Sequence, residues 1–271
     1  MPYAELGGVR TYYEQAGVGH VVMLVHGGCV DRRTWDLQME AMARSYTVLR
    51  YDLRGHGRSS APPQGYTIAD FAEDLRRLIQ HLGLAKPSIM GHSLGGCVAL
   101  EYAIRFPKDV TTLLLADTGL EGFPYAVPME KQMARRRRLL ARSGVSESFV
   151  RAVMSSPIFD GVRGRAALRQ LTQEMIAAWS GANWRDESAT IPPAHPQAER
   201  IAEVAAPTLV LVGEQDSARA HAIAQRLSEQ LRVVRKEFVP EAGHMAPLEN
   251  PDVFNDIVLD FLGGAVGKAL V

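Results

Sequence analysis

Three residues in this chain have the types and the chain order that covalent acyl-transfer chemistry needs: Ser93, Asp216 and His244. A serine hydroxyl is a poor nucleophile on its own, so it needs a base within hydrogen-bond reach, and the base needs an acid to orient it. Ser93 stands in Gly91-His92-Ser93-Leu94-Gly95, between an apolar run and an apolar helix-like stretch. A Gly-x-Ser-x-Gly turn of this kind sets the serine on a sharp strand-to-helix bend and exposes its hydroxyl at the edge of a sheet. His244, in Glu241-Ala242-Gly243-His244-Met245, follows the last strand-like run, and Asp216 ends the run LVLVGEQD. Nucleophile, acid and base therefore follow one another in the order that such a strand–turn–helix arrangement requires. Asp117, at the end of LLLAD one strand earlier, could also reach the imidazole, and Glu214 is a third carboxylate. Asp216 is preferred because its strand immediately precedes the strand that leads to the histidine.

An attacked carbonyl develops an oxyanion that must be met by hydrogen-bond donors. The Leu94 N–H, next after the nucleophile at a helix start, is one expected donor. The other is expected from the loop His26-Gly27-Gly28-Cys29, with Gly28 the assigned donor and Cys29 the runner-up. His26 is read as structural, holding that loop by a side-chain hydrogen bond. Cys29, His92, Trp179 and Met245 are the expected substrate-contacting residues, although Cys29 is also readable as a small buried residue and Trp179 as packing. Cys97 is assigned to the core. The 8 histidines show no H-E-x-x-H or similar ligand spacing, so neither a metal nor any other cofactor is expected.

The elements that must position these groups are legible as an alternation. VVMLVHG (21–27), YTVLRYD (46–52), PSIMGHS (87–93), TTLLLAD (111–117) and PTLVLVGEQD (207–216) read as strands, several apolar throughout as in a sheet covered on both faces. VRTYYEQ (9–15) and VVRKEFV (233–239) read as strands toward the edges. Helical patterns lie at 67–82, 94–106, 219–231 and 252–262, the first opened by a Thr67/Asp70 cap and closed at Gly83. Strand–helix alternation predicts a mainly parallel sheet with helices on both faces. Residues 118–206 break the rhythm: helix-like pieces at 129–142, 146–155 and 163–180 precede the Pro-rich IPPAHP (191–196). So long a structureless loop is improbable in a compact domain, and the segment is read as a helical insertion over one end of the sheet.

Composition narrows the class. The 271 residues carry 30 Lys+Arg against 30 Asp+Glu, so bulk charge favours neither nucleic acid nor an anionic membrane as partner. Arg135-Arg136-Arg137-Arg138 is read as part of a half-solvated helix, since no aromatic interleaving accompanies it. Two cysteines are too few for a disulfide scaffold, and no apolar run reaches the ~18–20 residues of a membrane span. A cytoplasmic monomer or homodimer acting on a small molecule is the resulting expectation.

LVHGG (24–28), YDLRGHGRS (51–59), GHSLGG (91–96), LVGEQD (211–216) and EAGHMAPLENP (241–251) together resemble the α/β-hydrolase superfamily over nearly the whole chain. The resemblance implies an eight-stranded, mostly parallel sheet, with 1–117 and 207–271 as the core and 118–206 as a helical cap inserted after the sixth strand. It implies Ser93, Asp216 and His244 as nucleophile, acid and base, with Gly28 and Leu94 as the oxyanion hole. Ser93 sets aside haloalkane dehalogenases and epoxide hydrolases, which use an aspartate nucleophile, and Cys29 after Gly28 departs from the HGGG loop of larger esterases. Size and motifs are most similar to small esterases, enol-lactonases such as 3-oxoadipate enol-lactonase, acyl-homoserine-lactone hydrolases and C–C hydrolases. The expected reaction is hydrolysis of a small apolar ester or lactone; C–C cleavage or lyase chemistry by the same residues, or a ligand receptor on this fold, are the alternatives.

Overall fold

The computed structural model describes residues 3–124, 127–187, 191 and 193–269; Pro192 of the Pro-rich stretch lies outside them. The chain begins with a hairpin, β1 (Tyr3–Leu6) and β2 (Val9–Ala16), followed by β3 (Val21–Val25), helix α1 (Asp36–Met42) and β4 (Thr47–Tyr51). Then come α2 (Ile68–His81), β5 (Ser88–His92), α3 (Leu94–Arg105) and β6 (Leu113–Ala116). Six helices follow before the next strand: α4 (Val127–Ser143), α5 (Glu147–Met154), α6 (Asp160–Arg163), α7 (Ala166–Ala177), α8 (Ala182–Arg185) and α9 (Gln197–Arg200). The chain closes with β7 (Thr208–Gly213), α10 (Ala218–Gln230), β8 (Val234–Val239), α11 (Ala246–Glu249) and α12 (Pro251–Ala269).

The 8 strands form one sheet in the order β1-β2-β4-β3-β5-β6-β7-β8. The β1–β2 and β2–β4 pairs are antiparallel and the remaining pairs parallel. The parallel centre explains the unbroken apolar runs: every residue of β5, β6 and β7 is buried because helices cover both faces. One face carries α2, α3 and α10 through Phe71, Leu75, Val98 and Ile223; the other carries α1 and α12 through Met42, Phe254 and Val258. The start of α2 is fixed by a reciprocal cap, with Thr67 Oγ1 accepting from the Asp70 N–H (3.2 Å) and Asp70 Oδ2 from the Thr67 N–H (2.9 Å).

No strand interrupts the described residues between β6 and β7; α4, α5 and α7 match the three anticipated pieces, and the one-turn helices α6, α8 and α9 were not anticipated. Side chains of this segment, Phe149, Val153, Phe159 and Trp179, share one apolar cluster with Cys29, Val30, Met245 and Leu248. The insertion therefore rests on the loops that follow β3 and β8. The short elements escaped the periodicity: β1, the helices α1, α6, α8, α9 and α11, and the turn Arg32–Trp35 leading into α1. That turn is rich in charge, and its partners are remote. Arg32 reaches Glu14 at 2.8 Å and Asp52 at 3.2 Å, contacts that no local pattern announces. Among the described residues no helix is long and apolar enough to cross a membrane.

Candidate active site

The turn after β5 is built by what glycine lacks. A Cβ on Gly91 would lie 2.1 Å from the Gly95 carbonyl oxygen, and one on Gly95 would lie 2.1 Å from the Val25 oxygen. With both absent, α3 passes close enough to β3 and β5 to force Ser93 into φ 52°, ψ −112°. Such a conformation costs a non-glycine residue on the order of 1–3 kcal/mol, and the surroundings hold it. The Ser93 N–H donates to Ala116 O at 3.0 Å, while Ser93 O accepts from Gly96 (3.0 Å) and Gly119 (3.1 Å). Its hydroxyl is thereby lifted out of the sheet at the start of α3.

The other two side chains arrive from the turns after β7 and β8. His244 Nε2 lies 3.0 Å from Ser93 Oγ, and His244 Nδ1 lies 2.8 Å from Asp216 Oδ2. The far oxygen of Asp216 accepts the Ser217 N–H at 2.5 Å. Close approach again depends on a missing side chain, since a Cβ on Gly213 would lie 2.1 Å from Gly243 O. The loop bearing the histidine is held on three sides. Glu249 Oε2 accepts the Gly243 N–H (2.6 Å), Glu249 Oε1 accepts the Met245 N–H (2.9 Å), and His92 Nε2 donates to His244 O (2.7 Å).

Electrostatics separate the groups sharply. Burial works against the His244 imidazolium, but the Asp216 carboxylate outweighs it and holds the histidine above its ordinary pKa. Burial raises Asp216 in turn, and the His244 charge and hydrogen bonds more than reverse that, so the acid sits below its ordinary value. Asp117, the rival acid, has φ 44° and turns its Oδ1 to the Gly213 N–H (2.7 Å), leaving Oδ2 enclosed without a partner. Burial first, and then the charge of Asp216, push its pKa well above the usual carboxylate range. Glu214 is turned elsewhere, its Oε2 accepting the Glu241 N–H at 3.2 Å.

Gly28, one expected oxyanion donor, lies against the side chain of the other, Leu94. A Cβ built on Gly28 would meet Leu94 Cδ2 at 3.6 Å, and one on Gly27 would meet Ser93 Cβ at 3.3 Å. Leu94 is the first residue of α3, so its N–H has no acceptor within the helix. Cys29 turns the loop away at φ 64° and is buried, with its thiol pushed up to about 12 by desolvation. His26 fastens the same loop: its Nε2 accepts the Leu53 N–H (2.9 Å) and its Nδ1 donates to Gly27 O (2.8 Å). Burial drives His26 down to about 4 and keeps it neutral.

The four expected substrate-contacting residues, Cys29, His92, Trp179 and Met245, are all buried. His92 is corrected: its ring is 1% exposed, edge-on to Trp35, and its Nε2 is spent on the histidine loop. Trp179 lies inside the insertion, stacked on Phe149 with its Nε1 donating to Asn183. Met245 and Cys29 meet that packing from below. Sequence reading gave Glu249 no role of its own, because a glutamate before Asn250 and Pro251 in a polar-looking turn resembles a solvated residue; it is in fact 4% exposed. The arginine run lies along α4: Arg136 Nε donates to Ala152 O at 3.0 Å. Arg137 lines a cavity of about 540 Å³ with Leu94, Tyr66 and Trp184. Among the described residues no cluster of three His, Cys, Asp or Glu side chains could hold a metal ion.

With this geometry in view, similarities to known proteins become informative. The family model described as "Alpha/beta hydrolase family" matches residues 22–257. A protein of Azorhizobium caulinodans whose name proposes a carbamate hydrolase, RutD, is 28% identical, covering 97% of this chain and 98% of its own length. A crystal structure of a hydrolase from Pseudomonas aeruginosa PA01 superposes with a TM-score of 0.85 at 26% identity, covering 96% of this chain and 97% of that one. The enol-lactonase of Burkholderia xenovorans LB400 superposes with a TM-score of 0.84 at 24% identity, covering 97% and 100%, a likeness of fold.

Proposed function

The chain belongs to the α/β-hydrolase family, and from that premise we propose that it hydrolyses a carboxylic ester or lactone of a small, apolar substrate. Ser93 is the nucleophile, His244 the base and Asp216 the acid. The observation that carries this reading is the unbroken relay Asp216–His244–Ser93, at 2.8 Å and 3.0 Å.

His244 accepts the Ser93 proton as Oγ attacks the carbonyl carbon. Asp216 holds the imidazole with Nε2 toward the serine and stabilises the imidazolium that forms. Negative charge moves onto the carbonyl oxygen, where the Gly28 and Leu94 N–H groups meet it; one such donor is worth about 3–4 kcal/mol in comparable sites. His244 then returns the proton to the leaving oxygen, which leaves an acyl-enzyme. Water, deprotonated by the same histidine, attacks that ester and frees Ser93. Residues 118–206 act as a cap over the core of 1–117 and 207–271. The side chains it brings near the site, Phe149, Met154, Met175 and Trp179, are apolar, which favours an apolar acyl or alcohol part.

A fluorophosphonate probe tests the mechanism: wild-type protein is labelled at Ser93, and Ser93→Ala is neither labelled nor active. Normal hydrolysis of p-nitrophenyl butyrate by Ser93→Ala would overturn it. The substrate class is tested on a panel of short esters, lactones, an N-alkyl carbamate and a vinylogous β-diketone. Turnover of the diketone alone would replace ester hydrolysis by C–C cleavage. Labelling without turnover of any substrate would favour a ligand receptor.

A further inference from the structure

Resting on that reading of the triad, we propose that Glu249 is a positioning residue for the catalytic base. Its carboxylate clamps the main chain on both sides of His244, and the insertion seats directly on that carboxylate, so insertion and base are aligned together.

Both oxygens of the group are committed to the histidine loop. Oε2 takes the Gly243 N–H at 2.6 Å and Oε1 takes the Met245 N–H at 2.9 Å, the two amides that flank the base. With His92 Nε2 on the intervening His244 carbonyl, three successive main-chain groups are fixed. The backbone that carries the imidazole cannot shift without breaking one of them. A carboxylate that is 4% exposed is costly to bury unless bonded, and among the described residues this one forms no ion pair. Charge-assisted bonds to main-chain amides are the compensation, and they are strong enough to hold a loop.

The insertion reaches the same group from above. A Cβ on Gly161, in α6, would lie 1.8 Å from Glu249 Oε2 and 2.2 Å from its Cδ. Gly161 is not in a left-handed conformation, so close approach to this carboxylate, and not backbone geometry, is what demands glycine there. Arg165, four residues on, donates through Nη1 to the Glu249 carbonyl oxygen. A side chain at the end of α11 is thus held between α6 and the loop carrying the base.

The charged and titratable groups facing His244 are Asp216 after β7, Asp117 after β6, His92 at the end of β5 and Glu249 on α11. Asp216 dominates, and Glu249 adds to it in stabilising the imidazolium.

The test uses the full chain with Glu249→Gln and Gly161→Ala, reading kcat, KM, the pH dependence of kcat/KM and the thermal midpoint. Glutamine keeps the shape but offers one acceptor oxygen in place of two. Expected for Glu249→Gln is a fall in kcat of about 100-fold, the cost of a misplaced catalytic group, with KM little changed. Its acid limb moves to lower pH, because a negative charge beside the imidazolium is gone. Glu249→Asp returns the charge without the reach, so the limb recovers while kcat stays low. Gly161→Ala, which touches no member of the triad, lowers kcat about 10-fold by displacing the carboxylate. The double variant is less than multiplicative. A purely structural role would lower the thermal midpoint and leave the limb of the remaining folded enzyme in place, which overturns the proposal. Full kcat in Gly161→Ala overturns the part that couples the insertion. Failure of the hydrolase reading is a different result, a wild type that is neither labelled by fluorophosphonate nor active on any ester, and it removes both.

Discussion

β6 and β7 lie side by side in the sheet, point the same way and are each followed within three residues by an aspartate, yet the two aspartates are shifted in opposite directions. Asp216 at the β7 end meets His244 and Ser217 and is held below its ordinary pKa; Asp117 at the β6 end meets only the Gly213 N–H and is held far above. Histidines on the same edge divide the same way. His244 is raised, whereas His26 is lowered to about 4 and His56 and His92 to about 3, each by burial first. Residue type and position in the sheet thus do not determine protonation. What determines it is whether a partner of opposite charge is within reach to outweigh desolvation.

The largest effect that would break this contrast is on the acid. Asp216→Asn should lower kcat by about 10⁴-fold, through loss of the imidazole tautomer and of the imidazolium's partner. Asp117→Asn should lower it by less than about twofold. Steady-state kinetics of the two variants decide, and the reverse ranking would transfer the acid role to Asp117.

Next in size is the response of the fold to acid. His26, His56 and His92 refuse protons in the folded state that the unfolded chain takes up near pH 6.5. Protons are therefore bound in excess by the unfolded chain as pH falls below 6.5, and stability is lost from there down to about pH 4 through His26 and to about pH 3 through His56 and His92. Each such histidine contributes up to about 1.4 kcal/mol per pH unit. Urea unfolding at pH 7, 6 and 5 reads the slope; a midpoint that did not move over that range would mean these rings are not neutral and buried together.

A smaller effect sharpens the Asp117 half. Asp117→Ala strips the buried Gly213 N–H of its acceptor and should cost about 1–3 kcal/mol. Asp117→Asn keeps a carbonyl oxygen there. It also removes an acid whose folded pKa is raised, a group whose contribution to stability falls as pH rises from its unfolded value toward its folded one. The asparagine variant should accordingly melt at the wild-type temperature or slightly above it at pH 7. Scanning calorimetry on the pair separates these outcomes.

The residues that were readable in advance share a physical reason. Gly91, Gly95 and Ser93 are forced together by a turn that only small residues permit, and β5 to β7 are apolar because both faces are covered. Those demands act within a few residues, so they leave a local pattern. Asp216 is preferred over Asp117 in the sequence only by its place before the last strand, because both follow apolar runs; in the structure Asp117 is turned to the Gly213 N–H, 96 positions away, and Asp216 to His244. Glu249 and His92 were missed or misplaced for a related reason. Their partners are main-chain groups of the histidine loop, and a main-chain amide is the same at every position of a sequence. The insertion is least legible, since apolar residues at helical spacing describe packing and pocket walls equally well until Trp179 is seen stacked on Phe149.

The way the insertion joins the core has its own consequence. It departs after β6 and returns into β7, and these strands are neighbours in the sheet, with Ala116 directly opposite Leu211. Because the two strands are parallel, the chain leaves at the C-terminal end of β6, the end where Ser93 stands, and has to cross to the opposite end of the sheet before it enters β7 at Thr208; α9 and the turn Ile201–Glu203 lie on that return. The stretch between the two strands must therefore hold at least enough chain to recross the sheet, and what exceeds that minimum gathers at the Ser93 end, against Cys29 and Met245.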